Sequence, residues 1–158
     1  MNKIIIGCDP DSSKSGWAIF DNSDLLDVSC KSIVEIYQFL ENEMQRNTPG
    51  VYELHIENVK GVSAAFTGRD VKQPMAVKFK MAQFIGMCKQ AQVEIERIAE
   101  HFGIKVIRHG VSKMWKDSKT GKAALADLGW HGQSNEDSRS AAYFGYLGVK
   151  LDKTKNKA

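Results

Sequence analysis

An apolar run that ends on an acid constrains this chain more than any other feature. Ile4-Ile5-Ile6-Gly7-Cys8 leads into Asp9, a polar turn follows, and a second apolar run opens at Gly16-Trp17-Ala18-Ile19-Phe20. Two such runs joined by a short polar connection read as a β-hairpin that presents a carboxylate from its first strand. An ionised carboxylate where a buried strand should continue is costly unless it is paired or bound to a metal. Two later acids, Glu57 and Asp137, also lie beside apolar runs. Acids placed in this way suggest a metal-dependent site acting on phosphate.

At 158 residues, 42% apolar and 26% charged, the chain fits one domain with a full hydrophobic core. No window approaches the roughly 18 apolar residues of a membrane span. No signal-peptide pattern precedes the first strand, so a cytoplasmic protein with no membrane association is expected. Cys8, Cys30 and Cys88 are odd in number and form no CxxC pair, which favours reduced thiols over a zinc site.

The charges are segregated along the chain. Residues 1–58 carry 4 basic and 10 acidic side chains, a net of −6. Residues 59–122 carry 13 and 5, a net of +8, and residues 123–158 carry 5 and 4, a net of +1. An acidic end with the candidate acids and a basic middle suit a protein that clamps a polyanion beside a metal. An ordinary solvated surface with chance segregation is the plainer alternative.

Residues 3–9 and 16–21 read as the first two strands, with a third near Leu25–Cys30. Ile33, Ile36, Tyr37, Leu40 and Met44 recur at helical spacing, which predicts an amphipathic helix from Ser32 to about Arg46. A strand over Tyr52–Glu57 delivers Glu57 at its end. Residues 58–74 lack periodicity and read as a loop. A long helix over about Met75–His101 carries an apolar stripe of Val77, Met81, Phe84, Ile85, Cys88, Ile95, Ile98 and Phe102, and Gly103 stops it. Ile104–Arg108 is a strand. Residues 111–130 form a basic helical or looped stretch broken at Gly121 and Gly129, and a last helix spans about Asn135–Leu147. One domain over 1–150 with a basic, flexible tail over 151–158 is expected. The element order implies an α/β protein, a mixed sheet covered by helices.

Gly7-x-Asp9-Pro10-x-Ser12-x-x-x-Gly16-Trp17 resembles the opening of RuvC-type Holliday junction resolvases. Ile56-Glu57-Asn58 resembles the second acidic segment of that family, and Asp137-Ser138-Arg139-Ser140-Ala141-Ala142 its C-terminal acid with the small residues that follow. The segments occur in the family's order, span almost the whole chain, and in this compact form look most like the phage-encoded branch, which would act in a bacterial host. Actin-like kinases also open with a glycine, an acid and a later glycine, but their site needs two linked domains, too many for this length.

The resemblance implies an RNase H-like fold, a five-stranded mixed sheet with helices on both faces. It implies a Mg²⁺-dependent endonuclease, a crossover junction endonuclease of DNA recombination, repair, replication or packaging. Its partner would be branched DNA, cut by a homodimer built through the long helix, with Met81, Ile85 and Gly86 near the contact. The family carries an aromatic wedge three residues after its glutamate. Here that position is Lys60, with Phe66 as a substitute in the same loop, which implies cleavage of forks and flaps as well as Holliday junctions.

Phosphodiester hydrolysis needs an activated water, a stabilised pentacoordinate phosphate and an escorted leaving oxygen, and two divalent ions about 4 Å apart can serve all of these. Hard oxygen ligands suit Mg²⁺ or Mn²⁺. Asp9 would be the central ligand, Glu57 would approach from the side, and Asp137 would close the site from the last helix. Asp137 also reads as a first-turn residue of a helix capped by Ser134. The family usually has an acid or histidine where Ser134 stands. Glu136 is the candidate fourth ligand, although adjacent helical residues point about 100° apart. Asp11 reads as a turn residue, and His55 and His131 as structural.

In the segment before the last helix, where the family places basic residues near the active site, Lys113 and Lys122 are the candidates beside the scissile phosphate. Lys122 is the stronger for a catalytic role. Lys60, Arg69, Lys72, Lys78, Lys80, Lys113, Lys116 and Lys119 are candidate DNA contacts, which supply affinity without sequence information. Two other readings share these features: an RNase H-like nuclease acting on RNA or RNA–DNA hybrid, and a non-catalytic branched-DNA-binding protein on a decayed nuclease scaffold.

Overall fold

The computed structural model describes residues 2–46, 50–62 and 72–155. Five strands form one sheet: β1 (Asn2–Asp9), β2 (Ser15–Asp21), β3 (Asp24–Lys31), β4 (Gly50–Glu57) and β5 (Lys105–His109), in the order β3-β2-β1-β4-β5. β1, β2 and β3 pair antiparallel, while β4 runs parallel to β1 and β5 parallel to β4. The sheet is therefore mixed. The helices are α1 (Ile33–Gln45), α2 (Met75–His101), α3 (Ser118–Asp127) and α4 (Glu136–Lys155), with a short 3₁₀ turn at Val59–Gly61.

Strand alternation divides the core in two. Ile6 and Cys8 of β1, Leu54 and Ile56 of β4, and Trp17 of β2 pack against Ile36 and Leu40 of α1 and Ile95 and Ala99 of α2. Ile5, Ala18, Phe20 and Val28 point the other way, onto Leu125 of α3 and Ala141, Ala142 and Val149 of α4. Helices thus cover both faces. The same alternation fixes where the acids point. Asp9 shares a face with Ile5, and Glu57 shares one with His55, which lies against α4 at Gly148.

Local signals explain most of the boundaries. Ser32 and Glu35 form a reciprocal capping box at the start of α1. Gly103, at φ 69°, and Gly129, at φ 84°, end α2 and the α3 turn in the left-handed region, where a side chain is disfavoured. Asn135, rather than Ser134, caps α4: its Oδ1 accepts from the Ser138 amide at 2.9 Å, and Ser138 Oγ accepts from the Asn135 amide at 2.9 Å.

Three expectations are corrected. Spacing ends the last helix at Leu147 and starts a tail at 151, but α4 continues to Lys155. Gly148 does not break it, because the missing side chain makes room for the His55 ring, and Asp152 is anchored by Lys3 Nζ at 2.6 Å. Gly121 lies inside α3 rather than at a break; a β-carbon there would strike the Trp115 carbonyl and the Arg139 side chain. The apolar stripe of α2 meets the core only from Cys88 onward, through Ala91, Ile95 and Ala99, while Val77, Met81 and Phe84 stay exposed.

Candidate active site

Asp9 is the last residue of β1 and Glu57 the last of β4, and these strands are parallel neighbours with Cys8 opposite Ile56. Both acids therefore sit at the same end of the sheet, on the same face. Both are buried, at 3% and 2% exposure. Asp137 arrives from the first turn of α4, which lies directly on the β1–β2 hairpin. Glycines at 7 and 16 permit that approach, since a β-carbon on Gly7 would overlap the Ala141 carbonyl and one on Gly16 the Asp137 carbonyl.

The three acids line one cavity of about 560 Å³, together with Asp11, Lys116 and Glu136. Val59, Val62, Phe84, Ile85, Cys88 and Val111 form its apolar side. Asp11 is a turn residue whose Oδ1 accepts from Ser12 Oγ at 3.2 Å and the Ser13 amide at 3.3 Å. The Ser112 amide donates to Glu57 Oε1 at 3.1 Å, which fixes one oxygen of that carboxylate.

Crowding raises the acids. Burial, followed by repulsion from Glu57, pushes Asp9 up to about 7. Burial, then Asp9 and Asp11, push Asp137 up to about 6. Lys116 opposes both: its Nζ lies 3.3 Å from Asp9 Oδ2. Burial alone would lower the Lys116 ammonium, but the fields of Asp9, Glu57 and Asp137 outweigh it and raise its pKa.

Lys116 is held in place from behind. Trp115 adopts a left-handed φ of 64°, uncommon for a bulky residue, with its ring packed on Tyr143 and Tyr146. Arg139, buried at 6% exposure, donates from Nε to the Trp115 carbonyl at 3.1 Å, from Nη2 to the Lys116 carbonyl at 2.6 Å, and from Nη1 to the Ser134 carbonyl at 3.4 Å. A guanidinium satisfying three carbonyls fixes the turn that aims Lys116 at Asp9.

Asp9 Oδ2 is buried and has no well-formed hydrogen bond; the Lys116 ammonium at 3.3 Å is its charged neighbour. A buried carboxylate oxygen in that state, beside a second buried carboxylate, is what a hard divalent cation satisfies. Among the described residues no group of three acids, histidines or cysteines is drawn together tightly enough to enclose an ion.

The remaining candidates are distributed as follows. Glu136 is exposed but lines the same cavity. Lys122 does not: it is exposed beside a separate cavity formed with Trp130, His131 and Ser134. Lys116 takes the position beside the acids that the sequence assigns to Lys122. Lys72, Lys80, Lys113 and Lys119 are exposed and Lys78 partly so, whereas Arg69 and Phe66 lie outside the described residues. Lys60 pairs with Glu96, Nζ to Oε2 at 2.5 Å. Glu96 also accepts from Arg108 at 2.8 and 3.0 Å and from Gln92 at 2.7 Å. Burial works against it, yet these donors hold Glu96 down to about 2. Gln92 also accepts from the Lys60 amide and donates to Asn58, tying the turn after Glu57 to α2.

No family model and no curated protein matches the sequence. Among solved structures, the chain is similar to Thermus thermophilus RuvC in complex with a Holliday junction substrate, with a TM-score of 0.55, 14% identity and 96% of each chain covered. It is also similar to Thermus thermophilus RuvC alone, with a TM-score of 0.54, 13% identity and the same coverage. The five-stranded mixed sheet with helices on both faces is thus an RNase H-like fold, as the resemblance implies. Among the described residues no helix is long and apolar enough to cross a membrane.

Proposed function

We propose that this chain is a Mg²⁺-dependent endonuclease that hydrolyses phosphodiester bonds in Holliday junctions and other branched DNA. The observation that carries the reading is the convergence of Asp9, Glu57 and Asp137 on one cavity from β1, β4 and α4. The likeness to a RuvC bound to a Holliday junction substrate supports the choice of DNA.

In this reading Asp9 and Glu57 hold Mg²⁺ or Mn²⁺ from the sheet edge, and Asp137 and Glu136 contribute from α4. The ion supplies Lewis acidity toward the phosphate and lowers the pKa of a coordinated water. The protein's own groups do the rest. Ser112 orients Glu57, the α4 terminus sets Asp137, and Arg139 with Trp115 aims Lys116 at the acids. Exposed Lys72, Lys80, Lys113 and Lys119 offer phosphate contacts, which carry no sequence preference.

Resolving a four-way junction takes two cuts, and the described residues of one chain form one such acid-lined cavity. A homodimer through α2 meets that need. Met75, Val77, Phe79, Met81, Phe84 and Met87 leave a large apolar surface exposed on its first half, which suits contact with a second copy.

A substrate panel tests the proposal: a four-way junction, a fork, a flap, an RNA–DNA hybrid and a structured RNA, each with Mg²⁺. Nicking of the three branched DNAs near the branch is expected. Cleavage confined to the RNA-containing substrates, or binding of junctions with no cleavage at all, would overturn it.

A further inference from the structure

The segment between Lys116 and Glu136 leaves the acid-lined cavity and returns to it, since both residues line that cavity. In between, α3 and the loop 129–134 form two adjoining hollows of about 320 and 480 Å³, which share Lys122, His131, Gly132 and Ser134. Trp130 lines the first and Gln133 the second. Among the described residues no carboxylate lines either hollow. Asp117 is spent as the cap of α3, its Oδ1 accepting from the Thr120 amide at 2.9 Å.

The loop is shaped around its tryptophan. Gly129 turns the chain at φ 84°, and a β-carbon on Gly132 would fall 2.9 Å from the indole Cζ2. The indole Nε1 donates to the Gln133 carbonyl at 3.3 Å. The half-buried ring is thus fixed beside an exposed histidine and an exposed lysine. An aromatic face next to a cation is what an unpaired nucleotide needs, one to stack on its base and one to meet its phosphate. The first hollow lies at the small end of the range for ligand cavities, roughly 300–1,000 Å³, with room for one nucleotide and none for paired bases.

The hollows are also tied to the acids. Arg139 donates to the Lys116 carbonyl on one side and to the Ser134 carbonyl on the other. One guanidinium therefore fixes both the residue that reaches Asp9 and a residue that lines the hollows. A strand with its phosphate at the acids meets this second place at a set spacing.

We infer that the hollow beside Trp130 is a second nucleotide site, which takes one unpaired nucleotide of the branched DNA near the cut. Trp130 and His131 stack on its base, and Lys122 meets its phosphate. This rests on the proposed reading of the acid cavity as a nuclease site. It also supplies a means of telling branched DNA from plain duplex, because a base that is already unpaired costs least to draw out of the stack.

Four-way junctions carrying a single abasic residue at successive positions around the cut test this, with binding to the full chain measured by anisotropy in EDTA. At one position the wild type should lose about tenfold in affinity. The same base removal should cost less than about twofold in Trp130→Ala and in His131→Ala, whose contact is already gone. Trp130 also packs on the core, so His131→Ala, at an exposed ring, must show the coupling at the wild-type urea midpoint. Lys122→Ala should lower the slope of log affinity against log salt by about 0.7, as for one phosphate of a single strand. Equal losses at every abasic position, or a loss that persists unchanged in both ring variants, would overturn the inference. So would tight binding of free thymidine monophosphate that the junction fails to displace. Junctions nicked by the wild type without such coupling would sink this inference alone, whereas coupling without nicking would sink the nuclease reading alone.

Discussion

Gly16 lies flush against the backbone carbonyl of Asp137, so close that a β-carbon on the glycine would overlap that oxygen. Gly16 is also the residue opposite Asp9 in the β1–β2 ladder. One residue without a side chain therefore sets the spacing between two acids that are 128 positions apart in the chain, from residue 9 to residue 137. Gly16→Ala must push α4 off the hairpin. Overpacking of this kind costs about 1–3 kcal/mol. A lower urea midpoint is expected, with cleavage falling further than DNA binding, because the contact that moves belongs to the acids. An Ala variant of wild-type stability and activity would show that α4 is not seated there.

The raised acids make stability depend on pH in a definite direction. Asp9 sits at about 7 and Asp137 at about 6, both above the unfolded carboxylate range. Between roughly pH 4 and 7 these two carboxyls bind more protons in the folded, metal-free chain than in the unfolded one, so their contribution to stability falls as pH rises through that window. Buried His55, pushed down to about 4, and His109, also lowered, contribute in the opposite sense, and the difference between wild type and Asp9→Asn isolates the acid's share. Mg²⁺ or Mn²⁺ needs the deprotonated ligands and should bind more tightly as pH rises, cancelling the loss. Thermal midpoints at pH 5 and pH 8, with and without Mn²⁺, check both statements. In Asp9→Asn the metal-free slope should flatten.

Arg139 is a buried guanidinium whose partners are backbone carbonyls of Trp115, Lys116 and Ser134. Arg139→Ala leaves those acceptors unpaired, at a cost of about 1–3 kcal/mol for a buried group left without its partner. Denaturant unfolding should register that loss. Arg139→Lys, which restores charge but not the forked geometry, should recover only part of it.

Lys60 and the exposed lysines should behave differently. Lys60 is committed to Glu96, so Lys60→Ala should mainly destabilise the turn after Glu57. Lys72→Ala and Lys80→Ala, exposed near the start of α2, should weaken binding to all branched DNAs alike. Each phosphate contact removed should lower the slope of log affinity against log salt by about 0.9. Fluorescence anisotropy at several salt concentrations separates the two behaviours.

The acids were legible in the sequence because each strand acid interrupts an apolar run, and a carboxylate at that point has no inexpensive structural role. The two faces of the sheet follow from strand alternation alone. Lys116 was legible as a candidate DNA contact, but its place beside the acids was not. Lys113, Lys116, Lys119 and Lys122 recur every three residues, and only the left-handed turn at Trp115 and the grip of Arg139 decide which one points inward. Neither leaves a periodic trace. The length of α4 was hidden for a related reason: the spacing ends the helix at Leu147, just before Gly148, yet that glycine is where His55 presses against a helix that continues, as Phe20 does at Gly145. The exposed first half of α2 carries the same apolar spacing as its buried second half, so the pattern could not reveal where the core ends.

Whether the acids perform the chemistry is decided by single-turnover cleavage of a labelled four-way junction in Mn²⁺ by the wild type and by Asp9→Asn, with binding measured on the same junction. The wild type should nick the junction, and the variant should bind it with similar affinity and leave it whole. Cleavage by Asp9→Asn at the wild-type rate would mean that the acids at the sheet edge do not perform the chemistry.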